Sequence, residues 1–201
     1  MTSGQVLAYF AHSDSDVVIQ EFITSRFSGV TFVGATRSLS EGLPGKCDGI
    51  LRGGARGARW ASLKSGAVQW ITGDAISPVH VAAISILQAE QLQLLGQDLT
   101  GYMFEWVIKD DGSYVWVDLK YLSLGYLSCF GPQRPQSYKV GAHSTAPGRS
   151  RIVLTDTRFS YAALLGTRQR GRLVCQSGSP LAHLCALAYE AGFSVLVPET
   201  A

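Results

Sequence analysis

Two runs of alternating apolar residues, Tyr102-Met-Phe-Glu-Trp-Val-Ile108 and Tyr114-Val-Trp-Val-Asp-Leu-Lys120, stand on either side of Asp110-Asp-Gly-Ser113. A period of two reads as strand, and Asp-Gly suits a tight turn that needs positive φ, so this stretch is expected to close as an antiparallel hairpin. Alternation along the second run sends Tyr114, Trp116, Asp118 and Lys120 to one face and Val115, Val117 and Leu119 to the other. Two charged groups then share a face with aromatics, where a polar ligand could sit.

Elsewhere the elements are shorter. Val6–Phe10 reads as a strand, and Val17–Ile23 and Gly29–Val33 read as a hairpin joined by the turn-prone Ser25–Ser28. Residues 38–66 hold many glycines and little periodicity, so they read as loop with a strand or two near Ile50 and Leu51. Ser77-Pro78 supplies an N-cap and an N1 proline for a helix running to Leu95 and ended by Gly96, with Val79, Ala82, Ala83, Ile86, Leu87, Glu90 and Leu94 at helical spacing. Gly131-Pro-Gln-Arg-Pro135 interrupts all periodicity and marks a linker, dividing the chain into residues 1–130 and 131–201. Beyond it, Arg151–Leu154, Gly171–Cys175 and Phe193–Val197 read as strands, and Phe159–Leu165 and Ala182–Ala191 as helices. That βαβαβ order implies a small unit with parallel strands. The expected class is α/β, with an α+β first part and a small α/β second part.

Composition excludes several functions. The chain has 201 residues, 46% hydrophobic and 16% charged, with a formal net charge of +2, enough for a sizeable core. Basic residues are scattered, and the one short run, Arg168-Gln-Arg170-Gly-Arg172, reads as a solvated loop, so nucleic acid is not the expected partner. No charged n-region precedes a long apolar run, and no window approaches a membrane span, so the expected compartment is the cytoplasm. Cys47, Cys129, Cys175 and Cys185 show no C-x-x-C spacing and read as reduced thiols.

Gly178-Ser-Pro-Leu-Ala-His183 leads into a helix that begins close to the histidine. A helix N-terminus offers unpaired backbone N–H groups and a partial positive charge, which stabilise an attached dianion. The same field lowers imidazole basicity and keeps a neutral nitrogen available as nucleophile. The plainer alternative is a histidine that only packs at a helix start. Two weaker motifs also occur. Cys175-Gln-Ser-Gly-Ser-Pro180 is superficially similar to a serine-protease nucleophile turn, with Ser177 and one of His12, His80 or His143, but the helix and strand that follow do not suit that fold. Gly53-Gly-Ala-Arg-Gly57 lacks the lysine of a P-loop and reads as loop.

The segment from Gly178 to Val197 resembles the phosphohistidine swivelling domain of the phosphoenolpyruvate synthase, pyruvate phosphate dikinase and rifampin phosphotransferase family, with Gly178, His183, Ala188, Glu190, Gly192 and the strand Val195–Val197 in register. The first 125 residues resemble the second half of that family's ATP-grasp domain, through Val17–Ile23 with Ser28-Gly-Val-Thr-Phe32, Gly96-Gln-Asp98 with Phe104-Glu-Trp106, and Val117-Asp-Leu-Lys120. The resemblance implies a phosphotransferase subunit that relays a phosphoryl group from ATP through His183 to an acceptor bound elsewhere. It implies ATP and Mg²⁺ as cofactors, the hinge Gln20, Glu21, Phe22 and Ile23 against adenine, Glu105 and Asp118 as magnesium ligands, and Lys120 balancing phosphate charge.

The chain departs from the family at Ser179 for a glycine, at Leu181 and Ala182 for a Thr-Ser pair, at Tyr189 for an arginine and at Ser194 for a proline. Asp118 replaces an amide, and Lys120 replaces an arginine and loses its bidentate fork. The family's Gly-Leu-Gly-Glu segment has only Gly42-Leu-Pro-Gly45 as a remnant. The earlier ATP-grasp half and the acceptor-binding barrel have no counterpart, so a partner protein is expected to supply the rest of the ATP site and the site for a small-molecule acceptor. The other reading is a regulatory or scaffolding relative that binds a dikinase-like partner.

Overall fold

The computed structural model describes residues 23–51, 55–127, 137–140, 151–154, 172–175 and 179–198. Six strands form one antiparallel sheet: β1 (Phe27–Val33), β2 (Arg37–Pro44), β3 (Ala58–Leu63), β4 (Val68–Thr72), β5 (Tyr102–Ile108) and β6 (Tyr114–Tyr121), in the order β4-β3-β2-β1-β5-β6. A second sheet orders β7 (Ser137–Val140), β10 (Ser194–Pro198), β9 (Arg172–Cys175) and β8 (Arg151–Leu154) as β7-β10-β9-β8. Its β8, β9 and β10 are parallel, as the alternation of elements implies, and β7 adds an antiparallel edge. The helices among these residues are α1 (Asp48–Leu51), α2 (Pro78–Leu94) and α3 (His183–Glu190). The class is mixed α and β, with a large antiparallel sheet. No helix among the described residues is long and apolar enough to cross a membrane.

Each face of the large sheet has its own cover. On one side Val81 and Ile84 of α2 pack against Trp60, Phe104, Trp106 and Ile108. Gln88 meets the sheet's buried hydroxyls there, donating from Nε2 to Thr31 Oγ1 at 2.9 Å, while Trp106 Nε1 donates to the same oxygen at 3.0 Å. On the other side Val30, Phe32, Leu39 and Met103 share one apolar core with Leu181, Leu184, Ala186 and Tyr189 and with Val195 and Val197 of β10. Thus α3 lies between the two sheets. Leu181 and Leu184 are almost wholly buried, which stabilises this packing by about 2 kcal/mol each.

Four expectations need correction. Residues 38–66 are not mainly loop, because β2, α1 and β3 lie there and Ile50 and Leu51 are helical. The strand at Gly29–Val33 does not form a hairpin with Val17–Ile23, because β1 has β2 along one edge and β5 along the other. The buried face of α2 is Val81, Ile84, Ser85 and Gln88, while Val79, Ile86 and Leu94 are exposed. This helix is apolar on most sides, so spacing alone could not choose the face, and the sheet's hydroxyls select the one that carries Gln88.

The fourth correction concerns β6. Glu105 pairs with Asp118 but Trp106 pairs with Trp116, which leaves Val117 as an extra residue in β6. The bulge reverses the alternation. Trp116 stacks on Phe104 at 4.5 Å and Tyr114 on Trp106 at 6.0 Å in the α2-side core, whereas Asp118 and Lys120 line a pocket beside α3. The charged pair therefore does not share a face with the aromatics. Deleting Val117 should give a regular ladder with both faces kept, within about 1 kcal/mol of the parent in urea unfolding. Deleting Leu119 should instead turn Lys120 from the pocket and pull buried Leu122 from its core, costing about 2–3 kcal/mol. Equal losses in the two deletions would contradict the bulge.

The expected strand at Val6–Phe10, the linker at Gly131–Pro135, the helix at Phe159–Leu165, most of the run at Arg168–Arg172 and the residues Gly53, Gly54 and Ser177 lie outside the described residues. So do all but the last residue of Val17–Ile23.

Candidate functional site

Residues directly opposite in neighbouring strands share a sheet face. Arg59, Glu41, Val30, Glu105 and Asp118 are paired in that order across β3, β2, β1, β5 and β6, so four polar groups and one valine form a row facing α3. The next row on the same face runs Leu39, Phe32, Met103 and Lys120. The hairpin and its bulge at Val117 thus set Glu105 and Asp118 side by side, with Lys120 two residues further along.

The helix opposite is built locally. Ser179 Oγ accepts from Leu181 N at 3.0 Å and Ser179 O from Ala182 N at 3.1 Å, closing a turn that leaves Ala182 extended as the N-cap and His183 as the first helical residue. Gly192, at φ +86°, ends it, with Phe193 N donating to Ala188 O at 2.8 Å. Positions 183, 186, 187 and 190 fall on one stripe, and this stripe meets the hairpin. At one end His183 Nε2 lies 2.8 Å from Glu105 Oε1, and at the other Lys120 Nζ lies 2.9 Å from Glu190 Oε2. The first pair is largely shielded, with side chains 29% and 16% exposed. The second is well exposed and contributes little to stability.

Between these contacts lies a pocket of about 210 Å³ that brings together His183, Glu105, Asp118 and Lys120, with Met103, Ala186 and Leu187 as its apolar walls. A carboxylate only accepts, so while the Glu105 bond is made Nε2 carries hydrogen and the lone pair of a neutral ring is at Nδ1. The amides of His183 and Leu184 come before the first hydrogen bond of α3, which Cys185 N makes to Ala182 O, and they favour negative charge beside the ring. Asp118 Oδ1 accepts from the amide of Leu119 at 2.8 Å.

Among the described residues no cluster of three His, Cys, Asp or Glu side chains is arranged to hold a metal ion. A cation here would rest on Glu105 and Asp118 and take its other oxygens from water or a ligand, the usual habit of Mg²⁺. Cys47 is not a competing nucleophile, because burial and then the Glu105 charge push its thiol up to about 11. Neither Cys47 nor Cys185 is in a disulfide.

Of the expected nucleotide hinge, Gln20, Glu21 and Phe22 lie outside the described residues, and Ile23 precedes β1 and does not line this pocket. His80 stands at the start of α2 beside Ser77 and Arg26, far from any role at α3. The departures at 179–189 are accounted for by packing. Leu181 and Ala182 are buried, Tyr189 hydrogen bonds Ser123 through its hydroxyl and packs edge-on against Tyr126 at 5.3 Å, and Ser179 donates to Glu41. Sequence reasoning missed Glu41, which is fully buried and accepts from Arg59 Nε at 2.7 Å, Ser179 Oγ at 2.6 Å and Gly57 N at 2.9 Å. Its one sequence signal is a lone acid at an inward position between Leu39 and Leu43. No family model matches the chain, and no curated protein matches it.

Proposed function

We propose that the chain is the His-bearing part of an ATP-dependent phosphotransferase, in which His183 accepts a phosphoryl group and passes it to an acceptor bound elsewhere. One observation carries this reading: the first residue of α3 is a histidine facing two carboxylates and a lysine across one small pocket. The α3 terminus and Lys120 supply positive potential where a transferred phosphate would sit. Glu105 orients the ring and stabilises the charge it gains as the nitrogen bonds to phosphorus and the bond to the leaving phosphate oxygen breaks. The hard oxygens of Glu105 and Asp118 suit Mg²⁺, which when bound would neutralise phosphate charge.

On this reading the six-stranded sheet is the ATP-grasp-like part and the four-stranded sheet with α3 is the swivelling-like part. A partner protein supplies the remaining nucleotide contacts and the acceptor site. The exposed apolar residues Val79, Ile86 and Leu94 of α2 are a surface such a partner could cover.

Incubation with ATP, Mg²⁺ and the partner should give an acid-labile, base-stable label on the chain that is absent from His183→Ala, measured by intact mass and peptide mapping. A label that persists in that variant removes His183 from the mechanism. Normal activity of the complex carrying His183→Ala would instead assign the chain a regulatory or scaffolding role.

A further inference from the structure

Glu41 has no part in the chemistry proposed above, yet it is the most deeply buried carboxylate in the described structure. A carboxylate in an apolar interior is costly unless its oxygens are satisfied. Here Oε2 takes Arg59 Nε and Ser179 Oγ, and Oε1 takes the amide of Gly57. Arg59 and Gly57 would suffice to compensate the charge within the large sheet. The bond to Ser179, 138 positions away in the chain, does something else: it ties β2 to the turn from which α3 starts.

The turn is organised around that hydroxyl. Ser179 Oγ donates to Glu41 and accepts from Leu181 N, Ser179 O accepts from Ala182 N, and His183 follows as the first helical residue. Glu41 and Glu105 both pair with Val30, one from each side of β1. One carboxylate therefore holds the backbone before the helix, and the other holds the ring that the helix presents. The two anchors are fixed relative to each other by a three-strand ladder. Turn and imidazole are located by the same row of the same sheet.

We propose that Glu41, acting through Ser179, is a positioning residue for His183: it fixes the start of α3 so that the imidazole reaches Glu105 in the pocket. This rests on the reading of His183 as a phosphoryl carrier, but its test uses no nucleotide and so fails or succeeds separately.

Diethyl pyrocarbonate, which modifies neutral imidazole nitrogens, reports how firmly His183 is held, and peptide mapping separates it from His80. In Ser179→Ala the rate at His183 should rise about tenfold as the Glu105 bond loosens, with His80 unchanged. Glu41→Leu with Arg59→Met should give a similar rise, and adding Ser179→Ala to that pair no further rise, because both changes remove the same link. Should that pair fail to fold, the milder Ser179→Ala decides alone. An unchanged rate at His183 in Ser179→Ala overturns the proposal, and so does an equal rise at His80, which would mean general loosening. If His183 responds as expected while the native chain forms no phosphohistidine, positioning stands and the phosphotransfer reading falls.

Discussion

Arg59→Met is expected to lower the unfolding free energy by about 3–5 kcal/mol, because it strands the Glu41 carboxylate inside the protein. Both side chains are nearly inaccessible, 3% and 0% exposed, and Nε and Oε2 are 2.7 Å apart. Breaking one side of such a pair leaves an uncompensated charge, whereas replacing both sides with apolar groups of similar size is often close to neutral. Glu41→Leu with Arg59→Met should therefore recover most of the loss. Urea unfolding at unchanged m-value measures both, since a change in m would signal an altered end state rather than altered stability. A loss below about 1 kcal/mol in Arg59→Met would mean that the carboxylate is reached by water and does not lie in the interior. The double variant separates two roles of one residue. It should fold well yet lack the tether to Ser179, so His183 should become more reactive in a protein of nearly the parent's stability.

Much of this arrangement is legible in the residues. Asp110-Asp-Gly-Ser113 closes the hairpin, with Gly112 at φ +83° and Lys109 N bonded to Ser113 O at 3.0 Å, which sets Glu105 near Asp118, although the register of the turn alone would place it opposite Val117. Pro78 and Gly96 bound α2, and Gly192 bounds α3, because the fixed φ and missing N–H of proline suit a first turn, while glycine takes the positive φ past a helix end, +61° and +86° here, without a steric penalty. What was not legible depends on contacts remote in sequence. Tyr114-Val-Trp-Val-Asp alternates without a break, so nothing in it announces the bulge at Val117, which arises because the aromatics and the charged pair must face opposite sides. Ser38-Leu-Ser-Glu-Gly-Leu43 has the small polar composition of a loop, yet it forms β2 because Ser40 finds Thr31 and Gln88 and Glu41 finds Arg59. The candidate site divides the same way: its reactive groups sit on elements that local signals define, while the residues that hold it together are paired across the fold.

Gly29→Ala is expected to destabilise the protein by about 3 kcal/mol, at the upper end for one added methyl group, since here neither neighbour can retreat. A Cβ at this position would stand 2.3 Å from the carbonyl oxygen of Glu41 and 2.4 Å from Cζ2 of Trp106. The first contact is backbone of the adjacent strand, and β1 is held on both edges, so widening the gap to β2 breaks ladder bonds on one side or the other. The second is a fully buried indole whose Nε1 donates to Thr31, so it cannot swing away without leaving that donor unpaired. Shortening Trp106 should not rescue the variant, because the backbone clash remains. Gly112→Ala is the control: its Cβ meets nothing within 4 Å, so only the left-handed backbone is penalised, at about 1–2 kcal/mol. Because the clashing carbonyl belongs to Glu41, any displacement of β2 also moves the carboxylate that holds Ser179. Gly29→Ala should therefore raise the reactivity of His183 even at temperatures where the chain stays folded, and Gly112→Ala should not. Thermal unfolding together with imidazole modification tests both statements, and equal behaviour of the two glycine variants would contradict the packing of Trp106 over β1 and β2.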